Sequence, residues 1–134
     1  MILFLRGLFV VVIVSMLWVT SWASLQCPLF SIPRPVFTHP WFIATLFDAY
    51  WGFVTFFVWV CFKQTSVLAR VAWFAAIILL GNLAMASYCL DELFRVPASG
   101  KASAILAERR QGPGGLGLAL AALGVTVTLL GLKQ

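Results

Sequence analysis

Apolar residues fall in four long blocks along the chain, separated by shorter segments in which proline, glycine or charged residues accumulate. The blocks cover roughly residues 7–23, 41–62, 71–90 and 115–132. A helix needs about 20 apolar residues to cross the hydrocarbon core of a bilayer, and the blocks meet or approach that length. None alternates apolar and polar residues as a membrane β-strand does. The pattern predicts an all-α, integral membrane four-helix bundle with short loops, a single domain over residues 1–134.

The composition agrees with a membrane protein, since 63% of the 134 residues are hydrophobic and only 10% are charged. The net charge of +5 would suggest a nucleic-acid partner for a soluble protein. Here, however, the Lys and Arg residues lie near the predicted helix ends rather than along one continuous face. We therefore expect the lipid bilayer, with its anionic headgroups, to be the partner of these cations, and we expect no nucleic acid.

The first block also has the outline of a secretory signal peptide. Arg6 precedes the apolar run, and Ser21-Trp22-Ala23 offers the small residues that signal peptidase prefers. The bulky Trp18 and Trp22 favour retention of the segment as a membrane anchor. Retention gives four spans, and cleavage would leave three.

The orientation is not decided by the number of cations on each side. With four spans, one side carries Arg6, Lys63, Arg70 and Lys133, and the other carries Arg34, Arg95, Lys101, Arg109 and Arg110. Because the first helix usually dominates, Arg6 and the terminal amine favour the cytoplasm for the N-terminus. We therefore expect a multi-pass protein of the plasma (inner) membrane with both termini in the cytoplasm.

An acidic residue, Asp48, interrupts the second apolar block, where a carboxylate is costly unless it finds a polar partner. Antiparallel packing of the second and third spans would put Asn82 at the same depth as Asp48. The polar cluster expected at this depth and slightly nearer the surface consists of Asp48, Asn82, Ser15, Thr45 and Ser87. Two interpretations remain open: a structural hydrogen-bonded cluster, or a polar site that opens towards the proline-rich loop of residues 26–40.

Small residues recur at spacings of four and three along the fourth block. They are Gly117, Ala121, Gly124, Thr128 and Gly131, and together they form one stripe of a helix. Such a stripe lets another helix backbone approach closely. It would dock either on the other three helices of the chain or on a second protein.

The loops contain few candidates for chemistry. Arg34 and His39 are the polar residues of interest in the proline-rich loop, and His39 is the only histidine. Cys27 and Cys89 fall near the same predicted membrane face, where an oxidising compartment would allow a disulfide between them. The sequence has no Cys-x-x-Cys pair, phosphate-binding glycine loop or nucleophile elbow. We expect no metal, no cofactor and no enzymatic activity.

A longer pattern runs from Trp41 to Arg95. Its landmarks are Trp41, Phe47-Asp48, Trp59-Val60, Lys63, Trp73 and the Gly81-Asn82 pair. Through these residues the chain resembles an uncharacterised family of small membrane proteins of bacteria and plants, domain of unknown function 1475. The resemblance covers roughly residues 1–95, leaves the glycine-rich fourth block outside, and implies no activity.

Two classes of function fit these observations. The first is a non-catalytic accessory or assembly module that packs through its transmembrane helices, either against a larger membrane protein or as a homo-oligomer. The alternative is a small homo-oligomeric transporter or proton-coupled solute-binding protein that uses Asp48 with Asn82.

Overall fold

The computed structural model describes residues 1–100, 102–112 and 114–132, and it confirms the all-α prediction for them. The helices are α1 Ile2–Gln26, α2 Arg34–Phe37, α3 Pro40–Lys63, α4 Val67–Leu80, α5 Asn82–Arg95, α6 Ala102–Ala107 and α7 Gly115–Gly131, with a 3-10 turn at Leu29–Ser31. Local sequence explains several boundaries. Pro40 fits the first turn of α3, where no amide donor is needed, and the Ser66 hydroxyl accepts from the Ala69 amide to cap α4.

Two helices, α1 and α3, are long and apolar enough to cross a membrane, judged by length and composition within the described residues. They contain 25 and 24 residues, with mean hydropathies of 2.6 and 1.5 in their most apolar windows. At 1.5 Å per residue each is about 36 Å long. Only 6% of each window is buried within the chain, so both helices expose most of their apolar surface. Two candidate spans are therefore present, and the four-span bundle is not confirmed.

The third predicted span, residues 71–90, is not a single helix. Gly81 has φ 54° and ψ −127°, a conformation that glycine adopts readily, and it ends α4 and begins α5. The chain turns back there, because Trp73 before the turn packs on Tyr88 after it, with ring centroids 4.8 Å apart. Each arm of this helical hairpin has 14 residues and is about 21 Å long, short of the roughly 30 Å hydrocarbon core.

The neighbouring helices set the direction of the remaining elements. Gly117 lies against Trp73 and Gly124 against Leu79, so α7 runs parallel to α4. The α3 helix runs antiparallel to α4, because its C-terminus leads directly into α4 while Phe53, farther back along α3, faces the Gly81 turn. The α1 helix packs along α5, and its N-terminus lies at the C-terminus of α5.

Because of these helix directions, the molecule has two ends, each formed by a different set of helix termini. We call the end where α1, α4 and α7 begin and α3 and α5 finish the basic end. Its cations are Arg6, Lys63, Arg70, Arg95, Arg109 and Arg110. The opposite end holds the proline-rich loop and the C-terminus of α7, where Gly131 approaches Phe30, whereas the Gly81 turn lies between the two ends, against Phe53. Among the described residues, Arg34 is its one cation, and Lys101 and Lys133 lie outside them.

This distribution of cations between the two ends differs from that of the four-span arrangement, which put Lys63 and Arg95 on different sides. The start of α1 and the end of α7 now lie at opposite ends of the molecule. The physical reason is the Gly81 turn, which returns α5 to the end from which α4 started. A single 20-residue helix would have carried Arg95 across.

The buried core lies between α3, α4 and α5. Its members are Val60, Trp73, Ala76, Ile77, Ala84 and Tyr88, with Phe53, Phe56, Phe57, Leu120 and Ala121 among the residues packed around them. Tyr88 makes T-shaped contacts with three aromatic rings, those of Phe56, Trp59 and Trp73. This aromatic core holds the C-terminal ends of α3 and α5 side by side at the basic end.

Candidate functional site: a buried ion cluster at the basic end

Lys63 and Glu92 form the centre of the basic end. Lys63 is the last residue of α3, and Glu92 lies near the end of α5. The Lys63 Nζ and Glu92 Oε2 atoms are 2.5 Å apart, and each side chain is only 1% exposed. Lys63 Nζ also donates to the backbone carbonyl of Ile105 in α6. The pair therefore joins three helices at one point.

Arg110 also bonds to the Glu92 carboxylate, and backbone hydrogen bonds hold Arg110 in place. Its amide donates to the Lys63 carbonyl at 2.6 Å, and its own carbonyl accepts from the Thr65 amide at 3.0 Å. These backbone bonds fix the guanidinium beside Glu92, where Nε lies 3.0 Å from Oε1 and Nη2 lies 3.0 Å from Oε2. The bond to Glu92 raises the pKa of Arg110, so this side chain stays charged throughout the physiological range.

Glu92 thus accepts from two cations in a site almost closed to solvent. A buried ion is costly to desolvate, and the cost is offset only when its partners supply good hydrogen bonds. Removing one partner of such a group commonly costs about 3–5 kcal/mol, because it leaves an uncompensated charge inside the protein. The cluster therefore makes the folded basic end depend on Glu92.

Gln64 and Arg70 extend the polar contacts towards α4. The Gln64 side-chain amide donates to the Tyr88 hydroxyl at 3.3 Å, and Gln64 is buried. Arg70 Nε donates to the Gln64 carbonyl at 2.8 Å. The α3–α4 connection is therefore held on both its side-chain and its backbone atoms.

A polar cavity of about 230 Å³ lies beside the ion cluster. Its polar side chains include Gln64, Asp91, Arg95 and Arg110, and the start of α7 forms another wall. Arg95 makes two bonds to Asp91, Nε to Oδ2 at 3.0 Å and Nη2 to Oδ1 at 3.1 Å. The cavity thus has more cationic than anionic side chains in its lining.

Arg6 ties α1 to the same end of the molecule. Its Nη2 donates to the carbonyls of Leu93 at 2.9 Å and Val96 at 2.8 Å, which are acceptors at the C-terminus of α5. Its guanidinium carbon lies 4.9 Å from the ring centroid of Phe94. Ile2 is buried nearby against Leu93 and Val96. Cleavage after residue 23 would remove all of these contacts.

The hydrogen bonds predicted for the polar cluster around Asp48 are not formed. Thr45, Ser15 and Ser87 each donate to a carbonyl of their own helix. Asp48 and Asn82 are both exposed, and no hydrogen bond joins them in the part of the chain that the structure describes. Gly81 faces Phe53, which lies about 7.5 Å farther along α3 than Asp48. The turn therefore places Asn82 at a different level.

The predicted loop and disulfide residues also lie apart from the ion cluster. Arg34 begins α2, and His39 precedes α3 without a side-chain cap bond; both are exposed at the opposite end. Cys27 and Cys89 are free cysteines, so the proposed disulfide is not formed. The reason is again the hairpin, because α5 carries Cys89 away from the end of α1 where Cys27 lies.

The small-residue stripe of α7 faces the chain's own helices. A Cβ atom at Gly117 would lie 2.9 Å from Trp73, and one at Gly124 would lie 2.8 Å from the Cβ of Leu79. Ala121 packs around the core, Thr128 donates to the Gly124 carbonyl, and Gly131 approaches Phe30. The stripe is therefore occupied by α4 and the 3-10 turn.

Sequence reasoning missed the ion cluster because its three members are distant along the chain. The sequence singles out Lys63 only as a landmark and as one cation near a helix end, Arg110 only as another such cation, and Glu92 not at all. The available signal was a charged residue at the end of each apolar block. Pairing these residues required the reversal at Gly81, and a single glycine in an apolar run does not predict a reversal. No group of three metal-binding side chains occurs among the residues described.

The family comparison covers most of the chain. A model described as protein of unknown function (DUF1475) matches residues 4–112. The match includes Lys63, Glu92 and Arg110, extends past residue 95, where the resemblance was expected to end, and stops before α7. Neither a curated protein nor a solved structure matches the chain.

Proposed function

Because the chain belongs to the DUF1475 family of proteins of unknown function, we propose its role from its geometry: a non-catalytic integral membrane module that assembles with a larger membrane protein. The observation that carries this proposal is the outward-facing apolar surface of α1 and α3. Apolar patches of that extent are rare on soluble monomers and mark contact with lipid or protein.

The surface of α3 is the stronger candidate for a protein contact. Leu46, Phe47, Tyr50, Trp51 and Val54 line a shallow apolar groove on its outer side. Large aromatic side chains are the residues that most often dominate binding energy at protein interfaces. A helix of a partner that lies along this groove would cover them and leave α1 facing lipid.

The ion cluster supports a structural rather than a catalytic role for the deepest charges. Lys63 and Glu92 are directed at each other, and both are closed off from solvent. Such a cluster fixes the relative positions of α3, α5 and α6, which keeps the outer groove of α3 in a constant shape.

The charge distribution supports an orientation for the module. Six cations lie at the basic end and Arg34 lies at the other, counting described residues. Cytoplasmic segments of membrane proteins carry an excess of Lys and Arg. We propose that the basic end faces the cytoplasm and that α7 ends on the far side, with α4 and α5 as a re-entrant hairpin.

Extraction and partner recovery from membranes test the proposal. The protein should stay with the membrane in alkaline carbonate and should co-purify with a defined membrane protein in mild detergent. Phe47→Ala should reduce recovery of the partner, since Phe47 is 63% exposed in the α3 groove. Phe62→Ala is a matched control, because Phe62 is an equally exposed aromatic residue of α3 outside the groove.

Three outcomes would contradict the proposal. Release by carbonate would exclude integration into the membrane. Equal loss of partner with both variants would exclude the groove as the docking site. A homo-oligomer that moves a solute and stops doing so after Asp48→Asn would favour the transporter alternative.

A further inference from the structure

We propose that the polar cavity at the basic end binds a phosphate oxyanion, carried by a lipid headgroup or free in solution. The inference stands on the cavity and its charges, and it does not depend on the partner proposed for α3. At about 230 Å³ the cavity is smaller than the roughly 300–1,000 Å³ of pockets for drug-sized ligands. A small ion or headgroup is therefore the appropriate size class.

The lining supplies hydrogen-bond donors that the protein itself leaves free. Arg95 uses Nε and Nη2 for Asp91, and Arg110 uses Nε and Nη2 for Glu92. Within the described part of the chain, no hydrogen bond uses Nη1 of either guanidinium group, and Nη1 of Arg110 lies 4.0 Å from the exposed Glu108 carboxylate. Guanidinium groups match phosphate oxygens in geometry and charge.

The cavity lining contains two arginines, Arg95 and Arg110, and one acid, Asp91, so its side chains carry a net positive charge. Glu92 is already shared between Lys63 and Arg110, and Asp91 is held by Arg95. Glu108 lies 4.0 Å from Arg110 and is largely exposed. Six cations against these three acids leave the basic end with a net positive charge.

The start of α7 adds backbone donors to the arginine side chains. Gly114, Gly115 and Leu116 line the cavity, and the first amides of a helix have no partner within it. The positive end of the helix dipole favours an anion there. Gly114 has φ 66° and packs closely on Ala69, whereas a Cβ atom at Gly115 would meet no atom within 4 Å, so Gly115 leaves this wall open.

Binding to the full chain in detergent, and separately in lipid nanodiscs, tests the proposal. Inorganic phosphate is titrated by calorimetry in detergent, and retention of phosphatidic acid over phosphatidylcholine is measured by native mass spectrometry from nanodiscs. Phosphate binding in the first arm identifies a soluble ligand. Selective retention of phosphatidic acid without phosphate binding identifies a lipid headgroup.

The variants separate the cavity from general electrostatics and from folding. Arg95→Gln should weaken binding about tenfold, whereas Arg109→Gln, an equal change of charge just outside the lining, should leave it unchanged. Gly115→Asp should abolish binding by placing a carboxylate in the cavity, while it favours the helix start and keeps the fold.

Two results would overturn the inference. Wild-type protein that binds neither inorganic phosphate nor phosphatidic acid would show that the cavity has no such ligand. Equal weakening by Arg95→Gln and Arg109→Gln would show only diffuse attraction to the basic end. Failure of the α3 groove experiment, with phosphate binding intact, would contradict the partner and leave this site standing.

Discussion

Charged side chains at the two ends of the molecule differ in burial and in hydrogen bonding. At the basic end, Glu92 lies between Lys63 and Arg110 and is almost fully buried. Towards the opposite end, Asp48 is exposed on α3 and makes no side-chain hydrogen bond with the described residues. Both acids lie in or beside apolar helices, so sequence context alone does not distinguish them. The difference comes from which helices the chain brings alongside.

The comparison shows where the fold is specified. Lys63, Arg110 and Arg6 each connect one element to another through bonds at the basic end. The hydroxyls of Ser15 and Thr45, in contrast, return to their own helices and connect nothing. The basic end therefore sets the tertiary arrangement, and the other end leaves apolar surface for lipid or a partner.

Glu92→Gln should produce the largest loss of stability. It removes the charge that neutralises Lys63 and Arg110 in a closed site, at a cost of about 3–5 kcal/mol. Thermal unfolding in mild detergent measures the loss. Glu108→Gln is the control, because Glu108 is exposed and should change stability by less than about 0.5 kcal/mol. Similar behaviour of the two variants would mean that the buried cluster is not formed.

Gly124→Ala should have the next largest effect. The added Cβ would lie 2.8 Å from the Cβ of Leu79, so α7 must move away from α4, at about 1–3 kcal/mol. Gly52→Ala is the same change in α3 with nothing within 4 Å, and it should stabilise the helix by about 0.5–1 kcal/mol. Opposite signs in detergent melting curves are expected. Stabilisation by both would place the glycine stripe away from α4.

Asp48→Asn should have the smallest effect, within about 0.5 kcal/mol, because no bond to the described residues is lost. Removing an exposed charge from an apolar helix should be neutral or slightly favourable. The same melting assay measures it beside Glu92→Gln. A loss as large as that of Glu92→Gln would reveal a partner for Asp48 and remove the contrast between the two ends.

The sequence predicts the helices better than their arrangement. Hydropathy alone located α1, α3 and α7 to within a few residues, because apolar length is a property of each segment by itself. The reversal at Gly81 was missed, since one glycine in an apolar run is equally compatible with a continuous helix. Every error in the level of Asn82, the side of Arg95 and the pairing of Cys89 followed from that single turn.

The ion cluster was beyond sequence reasoning for a related reason. Lys63 and Glu92 lie on different helices, and their pairing depends on how α3 and α5 align. The position of Arg110 depends on backbone hydrogen bonds to residues 63–65, and no local sequence pattern predicts these bonds. Asp48, in contrast, was conspicuous because it interrupts an apolar block, although the fold gives it no bond to the described residues.

Cysteine accessibility tests the hairpin and its orientation most directly. A variant with Cys61 and Cys89 replaced by alanine keeps only Cys27, which reports the opposite end. A second variant, in which all three native cysteines are replaced by alanine and Ser99→Cys is added, reports the basic end. Both positions are exposed. A membrane-impermeant maleimide should label Cys27 in intact cells and the cysteine at position 99 only in inside-out vesicles. Labelling of both positions from the same side would contradict the hairpin, because that result requires residues 71–90 to cross the membrane as one helix.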